Sequence, residues 1–146
     1  MQNEIVKLLK KEGKLSEKTI DEISNIEIGD FSDLVRELGK EETEHIKRDE
    51  ISKNLNTKYI GKDIYIFNEV MSTNTIAKFL SMNGVGNGAV VISEKQTKAR
   101  GRSGKNWESP LGGVWLSIIL NPNVNHSKIP LITLATGVAV ENTLKR

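Results

Sequence analysis

Cysteine is absent from the 146 residues, which excludes disulfide frameworks, thiolate metal sites and cysteine nucleophiles from this polypeptide and is compatible with a reducing cytoplasm. Long apolar runs are absent too. The longest, from Ile129 to Val140, is too short for a membrane span and is interrupted by Pro130, Thr133, Thr136 and Gly137. The N-terminus lacks the basic-then-apolar layout of a secretion signal, so a cytoplasmic chain without a membrane partner is expected. Histidine occurs only at His45 and His126, far apart and in polar surroundings. Neither has a triad or metal-ligand context, and both read as surface residues. What remains is a globular composition, 37% hydrophobic and 27% charged with a formal charge of +2, without the bias that keeps a chain disordered.

Charge is divided unevenly. Residues 1–50 hold nine Lys/Arg against fourteen Asp/Glu, whereas residues 51–146 hold twelve against five. This shift predicts two modules, 1–49 and 50–146, with any anion-handling chemistry in the second. In the first, apolar residues at helical spacing (Ile5, Leu8, Leu9; Ile20, Ile23; Phe31, Leu34, Val35, Leu38) predict a short helical segment, followed by a charged helical connector over Glu41 to Leu55. In the second, Tyr59 to Val70 reads as extended chain centred on Ile64 to Phe67. Met71 to Asn74 supply turn and cap chemistry, and Ile76, Phe79 and Leu80 mark a helix. Gly84, Gly86 and Gly88 form a flexible link into a buried strand, Ala89 to Ile92. A polar loop follows from Lys95 to Gly112, then a strand Val114 to Leu120 and an apolar helix Pro130 to Leu144. The order β, α, β, loop, β, α defines an α+β unit.

The loop Lys95 to Asn106 carries five cationic residues and no acid. Gly101 and Gly104 would let successive backbone N–H groups turn toward one anion while Arg100, Arg102 and Lys105 surround it. A phosphate or carboxylate is the natural guest. Taken by composition alone, the same loop describes a solvated basic segment or one that touches nucleic acid. Its continuation into Trp107-Glu108-Ser109-Pro110 and the strand beyond Gly113 tethers it at both ends.

With Ser72-Thr73-Asn74 and Gln96-Thr97 upstream, the run Arg100-Gly101-Arg102-Ser103-Gly104-Lys105-Asn106-Trp107-Glu108-Ser109-Pro110 resembles biotin protein ligases, whose loop is usually written Gly-Arg-Gly-Arg-x-Gly-Arg-x-Trp-x-Ser-Pro. Two motifs in the right order are far more specific than a lone glycine-rich pattern. Ala99 stands where the first glycine is common, and Lys105 where the second loop arginine is common.

The resemblance implies a partial biotin/lipoate protein ligase catalytic domain with a mixed sheet of the class II aminoacyl-tRNA synthetase type, preceded by the helical segment. Family members join biotin to ATP, with Mg²⁺ as the usual companion of ATP, and pass the biotinoyl group from biotinoyl-AMP to a lysine of a biotin carboxyl carrier protein. By similarity, Ser72, Thr73, Asn74 and Gln96 contact biotin. Arg100, Gly101 and Arg102 hold its carboxylate and the adenylate phosphate, with Arg100 and Arg102 as the catalytic cations. Gly104 and Lys105 line the adenylate side, and Trp107 closes over it. Taken alone, a tryptophan after a polar loop, as Trp107 is, is more often a core anchor, and Trp115 reads as core or pocket floor.

The family's Lys-Trp-Pro-Asn-Asp segment does not occur before Arg146. The expectation is an N-terminal portion of the catalytic domain, with little ligase activity alone and with apolar surface to be covered by a complementary C-terminal chain or a second copy in a homodimer. Relatives often carry a DNA-binding winged helix. Here the first module is acidic and lacks a Ser-Arg-rich recognition helix, which argues against DNA binding. A lipoate or octanoate transferase is the nearest enzyme alternative, but its Arg-Arg-x-Ser-Gly-Gly-Gly pattern is missing. A non-catalytic biotin-binding or regulatory fragment is the alternative from another class.

Overall fold

A computed structural model describes residues 14–15 and 43–145. The helices expected before residue 40 lie outside the described residues. Within them, the chain runs β1 (Lys14–Leu15), α1 (Arg48–Asn54), β2 (Ile64–Val70), α2 (Thr73–Met82), β3 (Val90–Gln96), β4 (Trp115–Ile118) and α3 (Pro130–Leu144). The strands form one mixed sheet in the order β1-β2-β3-β4. β2 and β3 are parallel, with Ile66 opposite Ile92, and β4 returns antiparallel, with Ser117 opposite Val91. The two-residue β1 pairs in parallel with Glu69 and Val70.

Strand alternation sends side chains to two faces, and each face has its own apolar cluster. On one, Tyr65, Phe67 and Val91 meet Ile76, Ala77 and Leu80 of α2, the helix that links the parallel pair β2 and β3. Leu80, Val70 and Val91 are wholly inaccessible to solvent, and each contributes about 1.5–3 kcal/mol through burial. On the other face, Ile64, Ile66, Val90 and Ile92 are packed by Ile46, Ile51 and Ile60. Helix α1 thus runs across position 50, where the charge balance changes, with Ile46 before it and Ile51 after it on the same cluster.

Two expectations are corrected. β3 does not end at Ile92 but continues to Gln96, because β2 runs alongside it, pairing Glu69 with Lys95 and Val70 with Gln96. The Lys95 ammonium meets the Glu69 carboxylate at 3.0 Å, a cross-strand ion pair that engages one of the five cations. Gly88 is a fixed crossing point instead of a flexible link. Its φ is +95°, its N–H donates to Ile119 O at 2.7 Å, and its carbonyl accepts from Gly61 N–H at 2.8 Å. Helix α3 has the expected bounds and buries no residue. Leu116 and Ile118 of β4 are also exposed. Among the described residues, no helix is long and apolar enough to cross a membrane.

Candidate functional site

Where β2 ends, the chain turns through Ser72 into α2 while β3 runs on beside it. Thr97 N–H donates to Val70 O at 3.0 Å and Lys98 N–H to Met71 O at 2.9 Å, so the Ser72 turn and the start of the basic loop are held side by side. Ser72 occupies the N-cap position of α2, yet its side chain makes no cap bond. The capping expected from the sequence is therefore corrected, and the first turn finds a partner elsewhere. Thr73 N–H donates to Gln96 Oε1 at 2.8 Å, and Thr73 Oγ1 lies 3.2 Å from the same oxygen. The other end of the Gln96 amide donates from Nε2 to Ser109 Oγ at 3.0 Å. Ser109, buried, is also tied to Gln96 through the backbone, Gln96 N–H donating to its carbonyl at 3.0 Å.

The basic loop is a narrow antiparallel ribbon. Arg100 bridges Asn106, Gly101 N–H donates to Lys105 O at 2.7 Å, and Trp107 N–H donates to Ala99 O at 2.9 Å. The tip is a short 3₁₀ turn, Arg102–Gly104, where Ser103 (φ 59°) and Gly104 (φ 72°) take left-handed backbone. The sequence assigned this freedom to Gly101 as well. Gly101 instead has an ordinary φ and an amide engaged within the loop, and a Cβ there would meet the Trp107 ring at 3.5 Å, an ordinary contact distance. Gly104 meets nothing at that distance.

These elements enclose an open cleft of about 250 Å³ lined by Ser72, Thr73, Asn74, Gln96, Ala99, Arg100, Gly101, Trp107, Val114, Trp115 and Leu116. A second, larger hollow of about 760 Å³ lies along Lys95–Arg100 and Asn106–Pro110. Seven residues singled out in the sequence meet at the first cleft: Ser72, Thr73, Asn74, Gln96, Arg100, Gly101 and Trp107. Gly104 and Lys105, placed by sequence on the same ligand, lie exposed in the loop and line neither hollow. Arg102 is placed at the loop tip by its backbone.

Trp107 is 60% exposed and lines both hollows, so it is a wall open to a ligand and not a core anchor. Trp115 is half-buried and forms part of the first cleft. Its Nε1 donates to Pro110 O at 2.9 Å, and its ring fills the space a side chain at Gly113 would need, with Cζ2 2.2 Å from the ideal Cβ position. Sequence reasoning missed Ser117. Buried on β4, its Oγ lies 2.9 Å from Thr73 Oγ1 and 2.8 Å from Asn74 Oδ1. A serine facing the α2 side of an otherwise apolar strand was the available signal. His45 and His126 are exposed, as expected. Among the described residues, no three His, Cys, Asp or Glu side chains come together.

Residues 66–146 match the model of the biotin/lipoate A/B protein ligase family. The bifunctional ligase/repressor BirA of Bacillus subtilis is 35% identical to this chain over 108 residues, covering 73% of the chain and 32% of that protein. Its counterpart from Bacillus spizizenii is 34% identical over 108 residues with the same coverage. The chain thus spans about a third of the length of these curated relatives. It belongs to the biotin/lipoate A/B protein ligase family.

Proposed function

We propose that this chain carries the biotin- and adenylate-binding part of an ATP-dependent ligase, which forms biotinoyl-AMP and pyrophosphate and then transfers the biotinoyl group to a lysine of a biotin carboxyl carrier protein. The observation that carries this reading is the meeting of Ser72, Thr73, Asn74 and Gln96 with Arg100 and Trp107 at one cleft. The polar end offers hydroxyl and amide groups of the kind a ureido ring needs, with the indole surfaces of Trp107 and Trp115 beside them for the apolar body. Arg100, at the loop end of the cleft, is assigned to the biotin carboxylate.

Attack of a carboxylate on a polyphosphate brings like charges together, so a fixed cation beside the reacting oxygens lowers the barrier. Arg100 and Arg102 take that role, Arg102 also retaining the acyl adenylate, while Trp107 excludes water from it. Gly104 and Lys105, exposed at the loop tip, are assigned to the adenylate side. Mg²⁺ would enter with the ATP phosphates, and no residue among those described is assigned to hold it. The activity is proposed for the cytoplasm. The division into a 1–49 segment and a 50–146 catalytic portion is part of the same proposal.

Isothermal titration tests the reading. Biotin is expected to bind the 146-residue chain, and lipoate is expected to give no heat of binding. Lipoate bound in preference to biotin would move the chain to another branch of the family, and no binding of biotin would contradict the proposal.

A further inference from the structure

Two side-chain amides line the cleft, and what each presents to a ligand depends on which way it is turned. Gln96 is fixed by Thr73. A backbone N–H can only donate, so the Gln96 atom 2.8 Å from it is the carbonyl oxygen, and Nε2 is left to donate to Ser109. Asn74 is exposed on the cleft and meets Ser117, whose hydroxyl lies 2.8 Å from Oδ1. Ser117 carries one hydroxyl proton. An amide oxygen can only accept, so that proton goes to Asn74 Oδ1, and the Ser117 oxygen is left to accept from the Thr73 hydroxyl 2.9 Å away. The Asn74 oxygen is thereby turned inward, and its Nδ2 hydrogens face the cleft.

We infer that Ser117 is a positioning residue that sets the polarity of the Asn74 amide, so that the cleft meets its ligand with an N–H donor and selects a hydrogen-bond acceptor there. Resting on the biotin reading above, this acceptor is the ureido carbonyl oxygen. Ser117 sits on β4, across the sheet from the motif residues it orients, and its register opposite Val91 holds it there. Without its hydroxyl, no other hydrogen bond among the described residues keeps the Asn74 oxygen turned away from the ligand, and the amide is free to rotate.

The test compares biotin with iminobiotin, in which a protonated imine nitrogen replaces the ureido oxygen at neutral pH, turning an acceptor into a donor. Dissociation constants are measured for the wild-type chain, Ser117→Ala and Ser117→Thr, with thermal melts to show that each variant is folded. The wild type is expected to prefer biotin. Ser117→Ala is expected to weaken biotin about five- to tenfold, the worth of one oriented hydrogen bond, and to leave iminobiotin within about twofold, so that selectivity collapses. Ser117→Thr keeps the hydroxyl and should restore it. Equal weakening of both ligands by Ser117→Ala, a wild type that prefers iminobiotin, or a folded Ser117→Thr without selectivity would each overturn the inference. A wild type that binds neither ligand would instead remove the biotin reading, and this inference with it.

Discussion

Gln96→Ala is expected to raise the dissociation constant for biotin about a hundredfold or more, the equivalent of roughly 2.7 kcal/mol, and to destabilise the chain by about 1–3 kcal/mol. The reason is that one amide joins three segments. Its oxygen accepts the first backbone N–H of α2, its nitrogen donates to Ser109, and its own backbone is paired with Ser109 at the exit of the basic loop. Ser72 makes no side-chain cap bond, and the Gln96 oxygen satisfies one of the first-turn N–H groups that have no partner within the helix. An alanine removes the acceptor from Thr73 N–H in a part-buried position and takes the amide donor from the Ser109 hydroxyl, leaving only the backbone bond to Ser109. Titration and chemical denaturation on the same variant separate the two effects. A variant that keeps wild-type affinity would show that Gln96 is a structural strut and no part of the ligand site.

Gly88→Ala is expected to lower stability by about 3 kcal/mol or more, through two mechanisms that add. Its φ of +95° is one that residues with a side chain rarely adopt. The added Cβ would also lie 2.5 Å from the Tyr59 carbonyl oxygen and 2.9 Å from its carbon. Backbone cannot swing aside as a long side chain can, so relief requires the 59–61 segment or the start of β3 to move. Gly88 is hydrogen-bonded to both Gly61 and Ile119, and such a shift would strain all three crossing segments. By contrast, Gly84→Ala has only its φ of +83° to overcome, with open space around the new methyl. The difference between the two midpoints in urea isolates the steric part. A Gly88→Ala loss no larger than that of Gly84→Ala would show that the crossing yields more readily than its geometry implies.

The apolar periodicity made much of this architecture legible. Ile76, Phe79 and Leu80 marked α2, and the run Pro130 to Leu144 has the bounds of α3. The extension of β3 through Ser93, Glu94 and Lys95 was not legible, because polar residues there have partners that sequence order hides. Glu94 is buried and accepts the His45 N–H at 3.0 Å from 49 positions away, Lys95 pairs with Glu69, and Ser93 Oγ donates to Lys95 O at 2.8 Å. Such partners, two of them distant in sequence, make polar residues compatible with a buried strand.

The candidate site was legible to a comparable degree. Motif order placed Ser72-Thr73-Asn74 and the Gln96 to Trp107 loop in one unit, and Ser72, Thr73 and Asn74 line one cleft with Gln96, Arg100, Gly101 and Trp107, whereas Gly104 and Lys105 do not. The physical role of its glycines was misread, since a glycine's need for left-handed backbone cannot be told from its need to admit a neighbouring ring. Gly104 shows the first need, whereas Gly101 has ordinary backbone and only an ordinary contact distance to the Trp107 ring. Ser117 escaped notice because its contacts depend on the β3–β4 register, which the residue pattern of β4 does not specify.

The most direct measurement is a nitrogen-15 NMR titration of the 146-residue chain with a non-hydrolysable biotinoyl-AMP analogue. Both tryptophans of the sequence lie on the cleft, so both indole N–H signals are expected to shift, together with the side-chain amides of Asn74 and Gln96 and the backbone of Ala99 to Trp107. Saturable binding that leaves these signals in place, or moves only signals from elsewhere in the chain, would contradict the assignment of this cleft to biotin and its adenylate.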